Sequence, residues 1–292
     1  VRCSDAARER SDPAVGTAAP ARRWLLIEHP GPWPVNAFAG SGIAPDVQQA
    51  INVAAHQAQA RILLVRRPGR QARRTRRAWA VLSYDGASVW GHWQSDSDLL
   101  QSVEVLKAPP FPTSGQGDQV LLVCAHGVHD VCCAVRGRPV ALALQAEWPE
   151  ATWECSHVGG DRFAANLVVL PDGVYYGGLD PLTAVETVRA HLDGRVHTDS
   201  LRGMSVFRPP AQAAVAAVHR RYGPFGPRDV DVRSAAHTDD GGWTIELSAA
   251  DRRFMAKVVT QHRPPARLTC QATQDARALE YHIEELAELQ PG

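Results

Sequence analysis

Two neighbouring segments hold most of the groups able to do chemistry: CAHGVHDVCCAVRGRP (124–139) and ECSHVGGDRFAAN (154–166). Cys124 and Cys133 are separated by eight residues, and His157 follows in the second segment. Thiolates and imidazole suit zinc, and also the iron of sulfur clusters. A two-iron cluster needs four protein ligands, two per iron. Nitrogen or oxygen ligands on one iron raise the potential above that of an all-cysteine site, because less negative charge sits on the metal. Asp161 lies four residues beyond His157, and Gly159-Gly160 between them lets the backbone turn tightly.

The chain has 292 residues, no net formal charge and six cysteines. It lacks an export-type leader, so a cytoplasmic, reducing setting is expected and clustered thiols point to metal or redox chemistry rather than disulfides. No apolar run approaches the ~20 residues of a membrane helix. Zero net charge gives no general attraction to nucleic acid. The arginine run Arg66–Arg77 (RRPGRQARRTRR) is a loop with no interleaved aromatic, which argues against nucleic acid. It reads first as a solvated connection, and more sharply as a docking patch for an acidic redox partner.

The elements that must position these groups follow from periodicity and turn residues. RWLLIE (23–28) is a buried strand, Pro45 opens a helix, RILLVRR is a second strand, and AWAVLSY-DG-ASVWGHW is a hairpin followed by a capped helix. The order recurs after 119: strand QVLLVCAHG, helix RPVALALQAEW, strand ATWECSH, a hairpin turning at Asp172-Gly173, and a helix started by Asp180-Pro181. The fold class is therefore α/β, as tandem thioredoxin-like β-α-β-β-β-α modules over 23–108 and 117–200. A flexible segment (1–22) precedes them, KAPPFPTSGQGD links them, and a small α+β region (203–292) follows. Cys124 and His157 end parallel strands of one module. In an open α/β sheet the loops after such ends converge on one crevice.

The paired motifs, with WECSHVGGDRFAANLVVLPDGVYYG and more loosely CSDAARERSDPAVGTA and RWLLIEHPGPW, resemble the sucrase/ferredoxin-like family, which is related to thioredoxin-like [2Fe–2S] ferredoxins. The resemblance covers most of the chain and is densest over 121–178. In fungal relatives the cluster ligands follow C-x8-C and H-x-G-G-H. The resemblance implies Cys124, Cys133 and His157 as ligands, while the second histidine position holds Asp161. A carboxylate there would lower the potential relative to histidine; Cys155, Cys132 and Cys270 are the alternatives.

Rival readings stand beside each residue. Cys132, next to Cys133, is a packing residue or spare thiol, and Cys155 packs beneath the site. His126 and His129 are surface histidines, or hydrogen-bonding groups near the thiols. Asp161-Arg162 is either a ligand and its neighbour or a buried ion pair, and Arg162 is a candidate donor to cluster sulfides. Asn166 and Arg136 brace loops. The expected function is electron transfer through a [2Fe–2S] cluster, as a carrier or the electron-entry module of a redox enzyme. The alternatives are a zinc-binding structural or interaction module on the same set, and a metal-free thiol oxidoreductase, disfavoured because no C-x-x-C is present.

Overall fold

The protein is described from a computed structural model, over residues 1–69, 76–108 and 119–290. Arg70, Arg73 and Arg74 of the arginine run, and 109–118 of the linker, lie outside the described residues.

A short helix α1 (Cys3–Glu9) precedes strand β1 (Arg23–Glu28), helix α2 (Pro45–Gln57), strands β2 (Ala60–Arg66), β3 (Arg77–Ser83) and β4 (Ser88–Trp93), and helix α3 (Leu100–Lys107). The second half runs β5 (Val120–Cys124), α4 (Val131–Glu147), β6 (Thr152–Cys155), β7 (Leu167–Leu170), β8 (Val174–Tyr176) and α5 (Pro181–Leu192). Then come β9 (Leu201–Met204), α6 (Pro209–Tyr222), and strands β10 (Val230–His237), β11 (Trp243–Ala249), β12 (Arg252–His262) and β13 (Leu279–Leu289).

The first nine strands form one sheet in the order β4-β3-β1-β2-β6-β5-β7-β8-β9. Each half contributes a parallel pair, β1 with β2 and β5 with β6, crossed over by a helix and flanked by an antiparallel hairpin. The halves join where β2 and β6 run antiparallel, Val65 opposite Cys155 and Arg66 opposite Glu154. The expected repeat of elements is thus present, fused edge to edge.

Both faces of the central strands are covered, so β1, β5 and β7 read as apolar runs rather than alternating. Leu25 and Ile27 pack with Val47, Ile51 and Val103 of α2 and α3. Trp24 and Leu26 join Leu122, Val168 and Tyr175 in a core that crosses the seam between halves. A third core links α4 and α5 to α6 and to the four-stranded antiparallel sheet β10–β13, through residues such as Leu144, Val215, Phe254 and Ala256. No helix among the described residues is long and apolar enough to cross a membrane.

Three readings change. The helix expected to begin at Arg138-Pro139 starts at Val131, with Pro139 inside it. The opening segment, expected to be flexible, is packed: Cys3 and Ala7 are buried in α1, and Ala18 and Ala21 enter the seam core. Seven helical residues are too few to be stable alone, so tertiary contacts hold α1. The C-terminal region does not begin at 203, because β9 spans that point and extends the large sheet beside β8.

Candidate metal centre

Cys124 is the last residue of β5 and pairs with Cys155 at the end of parallel β6, and His157 lies two residues beyond, so both groups sit at the same strand ends. Cys133 comes from the first turn of α4. The Asp130 side chain caps that helix by accepting from the Cys132 amide at 2.8 Å. The helix can approach the end of β5 because residue 137 is glycine: a Cβ there would stand 2.1 Å from the Cys124 carbonyl oxygen.

The metal-ligating atoms of Cys124, Cys133 and His157 all lie within 4.8 Å of one another. Asp161 opens a 3-10 turn, Asp161–Phe163, and joins the same site. Its Oδ1 accepts from Cys133 Sγ at 3.2 Å and lies 3.0 Å from His157 Nδ1. The close approach to His157 lacks the alignment of a hydrogen bond, leaving that buried ring nitrogen without a hydrogen-bond partner. The sequence reading took His129 as a surface or hydrogen-bonding histidine, not as a ligand. Its ring stacks on His157 with centroids 3.8 Å apart, and its Nε2 is 3.8 Å from Asp161 Oδ2. His129, His157 and Asp161 make a second ligand triple sharing His157 with the first. The signal for it was the spacing inside CAHGVHDVCC, which puts His129 in the loop between the two thiols.

These groups polarise one another. A hydrogen bond from Cys133 and the adjoining His157 draw the Cys124 thiol well below its ordinary value, although burial opposes this. The same bond to Cys124, together with burial, pushes Cys133 up. Burial works against a charge on His157, but Asp161 and Cys124 outweigh it and raise its pKa to about 9. Asp161 is buried, yet His157 and Cys133 hold it below the usual carboxylate range. The shifts thus favour a thiolate at Cys124, a protonated His157 and an ionised Asp161, groups whose binding of a cation is coupled to proton release.

The loop carrying His157 and Asp161 is fixed from behind by a residue the sequence did not single out. Arg202 of β9 is fully buried. It donates from Nη1 to the Gly159 carbonyl (2.9 Å) and Asn166 Oδ1 (2.8 Å), and from Nη2 and Nε to Thr17 O and Oγ1 (2.7 and 3.0 Å). Asn166 in turn donates to the Gly160 carbonyl at 2.9 Å, bearing out its bracing role.

The remaining expectations divide. Cys155 is a core residue of the seam, as expected. Arg162 does not pair with Asp161; its Nε lies 3.4 Å from Asp12 Oδ2. His126 is no surface group: it is 2% exposed, its Nε2 is 2.9 Å from the Pro34 carbonyl, and its Nδ1 accepts from the His157 amide at 3.3 Å. Arg136 braces the N-terminal segment through Ser4 Oγ and Asp5. Cys132 and Cys270 stand apart from Cys124 and Cys133, grouped instead with Cys3 and Asp130.

The profile of the sucrase/ferredoxin-like family matches residues 14–203, well over half the chain. Among characterised proteins, "altered inheritance of mitochondria protein 32" of Meyerozyma guilliermondii is 35% identical over 78 residues, covering 22% of this chain. The matched stretch spans about a quarter of that relative (26%). No solved structure matches the chain significantly.

Proposed function

The chain belongs to the sucrase/ferredoxin-like family, and from that premise we propose that it holds a [2Fe–2S] cluster and passes single electrons. Cys124 and Cys133 would bind one iron; His157, with Asp161 or His129, would bind the other. The observation that carries this is the convergence of two buried thiols and an imidazole at adjoining strand ends. The donor set, two sulfurs with nitrogen and a carboxylate, is of the mixed type that [2Fe–2S] sites accept. In each half of the large sheet the strand order and the parallel pair are those of a thioredoxin-like module, which supports the finer fold reading.

When bound, the cluster supplies one-electron chemistry. The chain's own residues do the rest. His157 and His129 are each roughly a quarter exposed, so the imidazole edge faces solvent while the thiols are sealed in. That edge is where a partner would approach and where a proton would enter. Arg202, a buried cation hydrogen-bonded to no carboxylate, holds the loop and biases it toward negative charge.

An acidic redox partner docking beside the arginine run is part of the proposal. Of its described arginines, Arg66 pairs with Glu154 at 2.7 Å, Arg67 with Glu150 at 3.5 Å, and Arg77 stacks on Trp93.

A second reading keeps the same residues and replaces the cluster by one zinc ion, as a structural or interaction module. The tight spacing of Cys124, Cys133 and His157 favours it. Anaerobic purification with iron, sulfide and zinc analysis separates the two. The cluster reading expects two irons and two acid-labile sulfides per chain at this site, a paramagnetic signal on reduction, and loss of both in Cys133→Ala. Zinc without sulfide, lost in the same variant, would overturn it. A colourless, metal-free protein with an active thiol pair would point to thiol exchange instead.

A further inference from the structure

Three cysteines remote in sequence meet away from the centre just described. Cys3 comes from α1, Cys132 from the first turn of α4, and Cys270 from the segment between β12 and β13. We propose that Cys3, Cys132 and Cys270, with the Asp130 carboxylate, bind a single zinc ion that staples both ends of the chain to α4.

The spacing carries the assignment. The sulfurs of Cys3 and Cys132 are 3.6 Å apart, those of Cys132 and Cys270 3.4 Å, and those of Cys270 and Cys3 3.5 Å. Asp130 Oδ2 is 3.6 Å from the Cys3 sulfur. Zinc–sulfur bonds of about 2.3 Å in a tetrahedron put neighbouring sulfurs ~3.8 Å apart, and a zinc–oxygen bond of about 2.0 Å gives a sulfur–oxygen edge of ~3.5 Å. The three sulfur–sulfur edges and the Asp130–Cys3 edge are thus of zinc-tetrahedron length, and all four ligand atoms lie within 4.8 Å of one another. A disulfide would use only two of the sulfurs and requires ~2.0 Å between them. A cluster of several irons distributes its thiolates over different metal atoms, so three mutually close sulfurs suit one ion.

The sulfurs pack against Ala164, and two of them also receive polar hydrogen-bond donors. The Cys3 amide donates to Cys270 Sγ at 3.4 Å, and Ser4 Oγ donates to Cys132 Sγ at 3.2 Å. Ser4 is itself oriented by Arg136 Nε at 2.9 Å. Asp130 is fixed through the Cys132 amide on Oδ1 (2.8 Å) and the Cys270 amide on Oδ2 (2.7 Å), which leaves lone pairs for a cation. Such outer hydrogen bonds orient ligands and tune the metal. Arg8 and Arg162 act electrostatically on Cys132 and Cys3, offsetting the excess negative charge of three thiolates and a carboxylate around a divalent ion.

The site uses none of Cys124, Cys133 or His157, so it can be tested without them. The full chain carrying Cys124→Ala and Cys133→Ala, purified without chelator, should retain one zinc per chain. Cobalt(II) exchanged into it should give the visible bands and thiolate charge transfer of a tetrahedral sulfur-rich site. Adding Cys270→Ser, at the most exposed of the three, should remove that ion and those bands. In the unmutated chain zinc should suppress alkylation of Cys270, and a chelator should restore it, a readout that does not depend on the variants folding. Alkylation of Cys270 indifferent to zinc, or zinc content unchanged by Cys270→Ser, would overturn the proposal, as would a disulfide between any two of the three in anaerobically purified protein.

Discussion

Gly159 and Gly160 separate the two ends of the metal-centre loop, and alanine should be far worse at the second than at the first. Both glycines have positive φ, +91° and +76°. An alanine at either costs about 1–2 kcal/mol of backbone strain. At 159 nothing lies within 4 Å of the added Cβ, so the strain is the whole effect. At 160 the Cβ would sit 2.3 Å from Arg202 Nη2 and 2.7 Å from its Cζ. Arg202 has no room to withdraw, being fully buried, and moving its guanidinium breaks bonds to the Gly159 carbonyl, Asn166 or Thr17. A hydrogen bond to a charged group is worth ~1.5–3 kcal/mol. Gly160→Ala should therefore cost about 3–5 kcal/mol against about 1–2 for Gly159→Ala. Urea unfolding of the two variants, with slopes compared to confirm like transitions, measures the difference. Metal content is a second readout, because the shifted loop carries His157 and Asp161. Equal losses at the two positions, or a larger loss at 159, would refute the role given to Arg202.

Two further outcomes concern protons. His219 is buried in α6 with neither ring nitrogen hydrogen-bonded, and burial lowers its pKa from 6.5 to about 4. The folded state thus prefers the neutral ring: this stability is complete above pH 6.5 and is lost as pH falls toward 4, by about 3 kcal/mol in all. His219→Leu should flatten the acid side of the stability profile, and an unchanged slope between pH 7 and 4.5 would rule the group out. At the metal centre, Asp161→Asn removes the carboxylate charge 3.0 Å from His157 Nδ1, so in metal-free protein the pKa of about 9 should fall by roughly 1–2. Proton resonance titration of the ring reads this directly, and a pKa unmoved by the substitution would mean that Cys124 alone sustains the charge.

The large sheet was legible because its signals are local. Apolar runs such as RWLLIE and VLLVC, turn pairs such as Asp172-Gly173, and Asp180-Pro181 at a helix start each act within a few residues. β9 gave no such signal: LRGM is four residues long and includes an arginine and a glycine, and only its pairing with β8 makes it a strand. Arg202 went unnoticed for the same reason, since its partners at 17, 159 and 166 come from separate parts of the chain. Cys124, Cys133 and His157 could be placed together because strand order alone converges them. Helix α1 and Cys270 could not, because contacts between residues 267 positions apart hold them. Joining the two halves through β2 and β6 was equally invisible, since β strands do not announce which edge they will meet.

The sequence reading set Cys132 aside because neighbours in a chain rarely point at one metal. The premise is sound and leads further than that. Successive residues of an α-helix diverge by about 100°, so at the start of α4 Cys133 faces the seam core with Cys124 and Cys155, while Cys132 faces Cys3 and Cys270. What differs is the outer wall. On the Cys133 side the donors end in two stacked, partly exposed imidazoles that can pass a proton or meet a partner. On the Cys132 side the wall is Ser4, Asp130 and Arg136, closed over by the two ends of the chain. One vicinal pair of cysteines therefore separates a centre open to exchange from a site whose closure depends on the fold being complete, and removing the closed site should loosen α1 before it disturbs the open one.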